Sequence, residues 1–294
     1  MQPVTIMMPP GDIKPIGVMN FVHGMCEHRK RYEKIMSYYS KKGYICAMKD
    51  LKGHGENIEK PEDLGYVGKK GYMQYIDDLQ DFNVYLRREY PGIPLILIGH
   101  SMGSLIVRTY IKEHDDMIDC LIISGSPSNS KLTGLGKILT RVLAVFNGWE
   151  YRSPMIADMV TGAFEKPFAT EGIKNSWLSS DMGVATLYNK DPLCGFTYTL
   201  NGYMALLDLV KQTYTEKGWK LRNPKLRIAF LSGEKDPCRV SNKLFKKAVQ
   251  LMRNVGYRRV TSKLFPGMRH EIFNEIKVRD VYAEIDNVLD TIYK

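Results

Sequence analysis

The clearest chemical signal in the sequence is the segment Gly99-His100-Ser101-Met102-Gly103. It fits the pattern G-x-S-x-G, in which a serine sits on a sharp turn between a strand and a helix and exposes its hydroxyl for nucleophilic attack. An apolar run at 94–98 precedes the segment and a helical stripe follows it, as that turn requires. Small residues are needed at Gly99 and Gly103, because a side chain there would collide with the neighbouring strand or helix. The alternative interpretation is a glycine-rich turn whose serine has no chemical role.

A serine hydroxyl is a weak nucleophile unless a base removes its proton. His270 is the best candidate base, because it follows a predicted strand and precedes the last predicted helix. An acid that orients the imidazole is expected between the serine and the histidine in chain order. Asp236 is the first choice and Glu234 the second, since both follow the strand-like run at 226–231. Taken singly, His270 could be a surface loop histidine and Asp236 an ordinary turn residue.

The tetrahedral intermediate of acyl transfer also needs two backbone N–H donors. The residue after the nucleophile supplies one, which points to Met102. The loop after an early strand supplies the other, and in His23-Gly24-Met25 the expected donor is Met25. The segment from Asp50 to Gly55 follows another strand and is interpreted as structural support.

These residues must be positioned by alternating strands and helices, and the hydrophobic pattern predicts such an alternation over most of the chain. The predicted fold class is α/β, with a mostly parallel central sheet flanked by helices. The rhythm stops between 127 and about 206, where four prolines and many aromatic residues replace any clear strand. We therefore predict a core formed by 1–126 and 207–294 and an inserted, mainly helical cap at 127–206. Ligands bind beyond the carboxyl ends of such strands.

The cap is rich in aromatic and methionine side chains, as a pocket for an acyl chain would have to be. The candidates for lining that pocket are Met155, Met159, Phe164, Phe168 and Trp177. A packed helical lobe without a binding role would have the same composition.

Composition and charge exclude several classes of protein. The 294-residue chain carries a net charge of +10, and residues 207–294 hold 19 basic against 10 acidic side chains. Solvated lysines explain this excess best, although it is also compatible with peripheral contact with an anionic membrane or an acidic substrate. No zinc-finger or RNA-binding motif accompanies the charge, so a nucleic-acid partner is not expected.

Five cysteines without a C-x-x-C pair favour neither a structural zinc site nor a disulfide framework, and Cys46 and Cys120 fall in predicted strands. No apolar run approaches the ~18 residues of a membrane-spanning helix, and the N-terminus shows no secretory signal. The sequence therefore predicts a cytoplasmic protein that needs no cofactor or metal.

The motifs together resemble the α/β-hydrolase fold and, within it, the serine hydrolases of the monoacylglycerol lipase and lysophospholipase type (serine aminopeptidase S33). The resemblance runs from about Ile16 to Tyr293 and is carried by the following segments: His23-Gly24-Met25-Cys26-Glu27-His28, Asp50 to Gly55, Gly99 to Gly103, Asp191 to Phe196, Gly233 to Asp236, and His270-Glu271. It implies a triad of Ser101, Asp236 and His270, an oxyanion hole from the amides of Met25 and Met102, and a cap above the site. It differs in one respect: only about 15 residues precede the first predicted core strand, where the family usually has an edge strand pair.

The sequence is thus interpreted as a serine carboxylesterase or lipase that hydrolyses a small-molecule acyl ester or lipid, such as a monoacylglycerol or lysophospholipid, through an acyl-enzyme. One alternative is an aminopeptidase-like or acyl-transferring hydrolase, in which Glu165 or Glu171 of the cap would bind a substrate amine. Another is a binding module that keeps the fold without catalysis.

Overall fold

A computed structural model describes residues 3–129 and 132–292. Residues 1–2 and 293–294 of the predicted core lie outside the described residues, as do residues 130–131 of the predicted cap. The family resemblance includes residues 130–131 and 293 as well. Seven strands form one sheet in the order β1-β3-β2-β4-β5-β6-β7, with β1 antiparallel to β3 and all other neighbours parallel. The strands are β1 Val4–Met7, β2 Gly17–Val22, β3 Tyr44–Lys49, β4 Leu95–His100, β5 Cys120–Ser124, β6 Arg227–Gly233 and β7 Arg259–Phe265.

Ten α-helices accompany these strands within the described residues. They are α1 Glu33–Lys41, α2 Tyr72–Glu89, α3 Met102–His114, α4 Leu132–Asn147, α5 Pro154–Ala157, α6 Ala163–Glu165, α7 Met182–Lys190, α8 Leu200–Thr213, α9 Asn242–Val255 and α10 Val278–Asp290. No helix in the described ranges is long and apolar enough to cross a membrane.

The core lies on both faces of the sheet because successive side chains of a strand point to opposite sides. In β4, Leu95 and Leu97 belong to the cluster formed with α2, α3, α8 and α9, whereas Ile96 and Ile98 belong to the cluster formed with α1 and α10. The central strands are buried on both faces, so they are mainly apolar and lack the alternation of polar and apolar residues. The predicted α/β class with a mostly parallel sheet is confirmed.

One strand of the sheet, β1, was not predicted from the sequence. β1 pairs antiparallel with β3, from Val4 opposite Lys49 to Met7 opposite Cys46. It has four residues and is only partly buried, so its pattern is too short to stand out in the sequence. The short N-terminal segment therefore supplies one edge strand, where the family usually has a pair.

The segment predicted as a cap contains helices and short 3₁₀ and π turns, and its described residues form no strand. Helix α8 runs from Leu200 to Thr213 and crosses the predicted boundary at 206/207. It packs against both α3 of the core and α4 of the inserted segment. The division into core and cap stays a proposal, and α8 belongs structurally to both parts.

Candidate active site

Ser101 lies at the turn between β4 and α3 in a strained backbone conformation, with φ +52° and ψ −120°. The turn is tight because α3 packs closely against the sheet. A Cβ atom at Gly103 would lie 2.2 Å from the carbonyl oxygen of Val22, and one at Gly99 would lie 2.5 Å from the carbonyl oxygen of Gly103. Both contacts are with backbone, which cannot move aside. The two glycines are therefore required by close approach, for the reason that the sequence suggested.

His270 and Asp236 lie side by side at the carboxyl end of the sheet. His270 Nδ1 is 2.9 Å from Asp236 Oδ1, and both residues are buried. The backbone N–H of Cys238 donates to the same oxygen at 2.9 Å, and the Ser232 hydroxyl donates to Oδ2 at 3.2 Å. Glu234, the second candidate acid, is exposed, and its carboxylate accepts the Gly267 N–H at 3.3 Å. The structure therefore pairs Asp236, not Glu234, with the histidine.

Electrostatics makes His270 a stronger base than an ordinary histidine. Burial alone would lower its pKa, but the charge and hydrogen bond of Asp236, together with the neighbouring Cys238, raise the pKa well above 6.5. The neighbouring His100 behaves oppositely, because burial and the nearby His270 lower its pKa to about 4. His100 therefore stays neutral near pH 7, and its Nδ1 lies 3.2 Å from the Ser124 hydroxyl.

The serine and histidine loops meet around the end of β5. The Ser101 N–H donates to the Ser124 carbonyl at 2.9 Å. A Cβ atom at the next residue, Gly125, would lie 3.2 Å from His270 Nδ1. The ring of His100, which directly precedes the serine, is 4.7 Å from the ring of His270. The structure thus brings the three predicted catalytic residues together at the carboxyl ends of the strands.

The two predicted oxyanion donors flank the same place. Met102 is the first residue of α3, so its N–H has no acceptor within the helix. The Met25 N–H makes no hydrogen bond within the described ranges. Its neighbour Gly24 touches the nucleophile, since a Cβ atom there would lie 3.0 Å from Ser101 Cβ. Two free N–H groups beside a nucleophile can accept the charge of a tetrahedral intermediate.

A buried ionic network behind the oxyanion loop was not predicted from the sequence. Glu27 accepts the Gly24 N–H at 2.6 Å and the Tyr32 hydroxyl at 2.9 Å. Arg31 donates to Glu27 at 2.7 Å and binds Glu271 through two hydrogen bonds of 2.7 Å. Burial would raise the pKa of Glu27, but Arg31, the two nearby histidines His100 and His23, and the Gly24 N–H together lower it to about 2. The i,i+4 spacing of Glu27 and Arg31 was a usable signal, whereas their pairing with Glu271 depends on the fold.

The inserted segment is held to both catalytic loops. On the histidine side, Arg269 binds the carboxylate of Glu171 and donates to the carbonyl of Ser176 at 2.6 Å. On the oxyanion side, the Cys26 carbonyl accepts the Gly195 N–H at 3.0 Å and the Tyr188 hydroxyl at 2.9 Å. Cys26 has a positive φ of 56°, so these contacts hold the loop after Met25 in a conformation that non-glycine residues rarely adopt.

The five predicted lining residues occupy different positions. Trp177 lies 5.1 Å from the His270 ring, and Phe164 lies 5.1 Å from Trp177, measured between ring centroids. Met159 packs against the core and approaches Gly136 of α4. Phe168 is buried beneath the Arg269 guanidinium, and Met155 is 51% exposed. All five remain proposed lining residues, and Trp177 is the one with a ring contact to His270.

The loop from Asp50 to Gly55 has the structural role that the sequence suggested. The buried Asp50 carboxylate accepts the backbone N–H groups of Arg29 and Glu56 and binds the Arg29 guanidinium. A Cβ atom at Gly55 would lie 2.4 Å from that carboxylate, which explains the glycine. The adjacent His54 is neutral, because burial lowers its pKa to about 3, and its Nε2 contacts the Tyr198 hydroxyl.

Comparison with known proteins agrees with this geometry. A family model described as Hydrolase_4, serine aminopeptidase S33, matches residues 13–277. The chain belongs to this family. It is 25% identical over 276 residues to a monoacylglycerol lipase of Mycolicibacterium smegmatis, covering 93% of this chain and 88% of that protein. It is 24% identical over 269 residues to the human monoglyceride lipase, covering 90% of this chain and 79% of the human protein.

Solved structures of other proteins show the same architecture. A thermostable carboxyl esterase from Bacillus coagulans, in complex with glycerol, superposes with a TM-score of 0.88 at 25% identity, covering 98% of this chain and 93% of the other. A lipase in its open form superposes with a TM-score of 0.87 at 21% identity, covering 98% and 94% of the two chains. The fold is the α/β-hydrolase fold, and the family expected from the motifs is confirmed.

Proposed function

We propose that the protein is a serine hydrolase that cleaves carboxylic esters of fatty acids, such as monoacylglycerols or lysophospholipids. The proposal rests above all on the meeting of a strained serine turn, a buried Asp236–His270 pair and two unengaged N–H groups at one edge of the sheet. The family and the lipase and esterase relatives support an ester as the substrate.

The reaction follows from the placement of these groups. Ser101 Oγ attacks the ester carbonyl carbon while Nε2 of His270 takes the hydroxyl proton, and the N–H groups of Met25 and Met102 bind the oxyanion. Asp236 keeps the His270 proton on Nδ1 and stabilises the imidazolium. The imidazolium then protonates the departing alcohol. A water molecule, deprotonated by the same imidazole, releases the acid and restores Ser101.

The aminopeptidase alternative is not favoured by the two acidic residues that it needs. Glu171 is bound by the Arg269 guanidinium, and a Glu165 carboxylate oxygen accepts the Asn175 N–H at 2.6 Å. The Glu171 charge is therefore already paired with a guanidinium, and one Glu165 oxygen is already engaged by the backbone. The aromatic side chains of Trp177 and Phe164 lie beside His270 one after the other, and such side chains suit an acyl chain.

The test is turnover of glyceryl and lysophospholipid esters of increasing chain length, beside aminoacyl amides, by the wild type and Ser101→Ala. We expect turnover of the long-chain esters, none of the amides, and complete loss in Ser101→Ala with an unchanged circular dichroism spectrum. A preference for aminoacyl amides would replace the esterase assignment with the peptidase one. No covalent labelling of the wild type by a fluorophosphonate would leave only the non-catalytic binding module.

We further propose that helix α4 touches the lipid surface from which the substrate comes. Its apolar side chains Ile138, Val145 and Phe146 are 65%, 76% and 82% exposed, and as residues i, i+7 and i+8 they lie on one side of the helix. The opposite side of α4 packs against the core through Leu139, Leu143 and Ala144. The net charge of +10 would add attraction to anionic lipids.

This surface is tested by sedimentation with phosphatidylcholine vesicles, with and without phosphatidylserine. Phe146→Ser should lower the bound fraction and the turnover of long-chain esters in vesicles, while hydrolysis of a short soluble ester is unchanged. Leu187→Ser is the matched control, since Leu187 is 69% exposed on α7 and outside the α4 stripe. Equal vesicle binding by the wild type and Phe146→Ser would refute the contact.

A further inference from the structure

His28, Asp191 and Cys194 form a cluster of metal-ligating side chains away from the catalytic residues. His28 lies in the loop after β2, and the other two lie in the inserted segment after α7. One ligand atom from each lies within 4.8 Å of the other two. We propose that this cluster, the cap clamp, binds a divalent cation of borderline softness such as zinc and so fastens the inserted segment to the core.

The backbone already arranges the donors. Asp191 Oδ1 accepts the Leu193 N–H at 2.9 Å, which leaves Oδ2 to face His28 Nε2, also at 2.9 Å. The Cys194 N–H donates to the Asp191 carbonyl at 3.0 Å, so a single turn carries both the carboxylate and the thiol. In a tetrahedral zinc site the N···O and N···S separations are about 3.3 and 3.6 Å. The three donors reach that geometry through shifts of about 1 Å or less.

Charge and ligand chemistry favour a cation of this kind. Arg31, the nearest strong positive charge, is already bound to two carboxylates, Glu27 and Glu271. The charges that act on Cys194 are the Arg31 guanidinium and the carboxylates of Asp191, Glu27 and Glu271. The three carboxylates outnumber the single guanidinium, and this excess of negative charge favours a bound cation. A thiolate with an imidazole selects zinc or cobalt over magnesium or calcium. On binding, the Cys194 thiol passes its proton to solvent.

The cap clamp would have a mechanical consequence. His28 follows the proposed oxyanion donor Met25 by three residues, and the Cys26 carbonyl between them already binds the N–H of Gly195. A metal at the clamp would add a coordinate link between the same loop and the same turn. Sequence spacing gave no hint of it, because His28 and Asp191 are 163 residues apart.

The experiment is titration of the full chain with cobalt(II), followed by its thiolate charge-transfer absorption, and with zinc, followed by Tm. We expect one equivalent of cobalt with thiolate absorption, and a Tm rise of about 5 °C with zinc at a hundredfold excess over Kd. Cys194→Ser should lose both effects. Cys238→Ser is the matched control. Within the described ranges Asp236, Cys238 and His270 form the other cluster of possible metal ligands, so this substitution leaves the cap clamp intact and should keep both effects.

Absence of thiolate absorption in the wild type would overturn the proposal. Loss of the signal in Cys238→Ser rather than Cys194→Ser would overturn it too, by placing the metal at the catalytic histidine. If Cys194→Ser does not fold, Asp191→Asn, which keeps the side-chain shape, must lose the Tm rise. Neither readout uses ester turnover, so the clamp and the proposed esterase function stand or fall separately.

Discussion

Replacing Asp236 with asparagine tests the proposed catalytic centre at the point where sequence analysis left two acids open. The substitution removes a negative charge and keeps the shape of the side chain. The Cys238 N–H donates to Oδ1, so the asparagine should place its carbonyl oxygen there and its amide nitrogen beside the Ser232 hydroxyl. The His270 proton would then stay on Nδ1, and the change would be chiefly electrostatic.

The expected loss in kcat/KM can be estimated from the distance between His270 and Asp236. His270 Nδ1 lies 2.9 Å from the carboxylate, so the centres of charge are about 4 Å apart in the imidazolium state. At an effective dielectric constant of about 20, losing that attraction costs about 4 kcal/mol, which is about a thousandfold in kcat/KM. The pKa of His270 should also fall, because burial is no longer offset by the charge of Asp236.

The assay is kcat/KM for a soluble ester as a function of pH. Only the neutral imidazole can take the serine proton, so activity falls as the pH drops through the pKa of His270. We expect the midpoint of this fall in kcat/KM to lie above pH 6.5 in the wild type and at lower pH in Asp236→Asn. The maximal kcat/KM of Asp236→Asn should be about a thousandfold below that of the wild type. The control Glu234→Gln should match the wild type within twofold. A tenfold or smaller loss in Asp236→Asn, or a large loss in Glu234→Gln, would refute the assignment of the acid.

Three further predictions concern stability and specificity. Gly103→Ala should lower the free energy of unfolding in urea by about 3 kcal/mol, because its Cβ would meet the Val22 carbonyl, whereas Gly134→Ala in α4, where nothing lies within 4 Å, should raise it by up to about 1 kcal/mol. The ionised Glu27 should contribute about 3 kcal/mol to the free energy of unfolding above pH 4.5, its ordinary pKa, and this contribution should be lost as the pH falls through about 2. The difference in urea stability between the wild type and Glu27→Gln should therefore shrink over that pH range. A constant difference would contradict the ionic network. Trp177→Ala should lower kcat/KM for long-chain esters about tenfold more than for acetyl esters, since it removes an apolar wall 5.1 Å from the His270 ring; equal losses would assign Trp177 to packing alone.

The sequence by itself determined the order of most strands and helices and the positions of the chemically active residues. Local physics suffices for this, because a doubly buried strand must be a continuous apolar run and a serine turn pressed against a sheet must be flanked by glycine. The apolar run predicted at 94–98 lies mostly within β4, and the glycines at 99 and 103 have the close contacts that the motif implied. The four residues of β1 carried too little pattern to be recognised.

Tertiary structure decided everything that depends on partners distant in the chain. It pairs Asp236 rather than Glu234 with His270, because only Asp236 turns inward at the end of β6. It joins Arg31 to Glu271 across 240 residues and seats Trp177 beside His270. Hydrophobic periodicity shows which face of an element is buried, but it carries no information about which other element covers that face. The contacts between the inserted segment and the loops of the proposed site therefore became visible only in the folded chain.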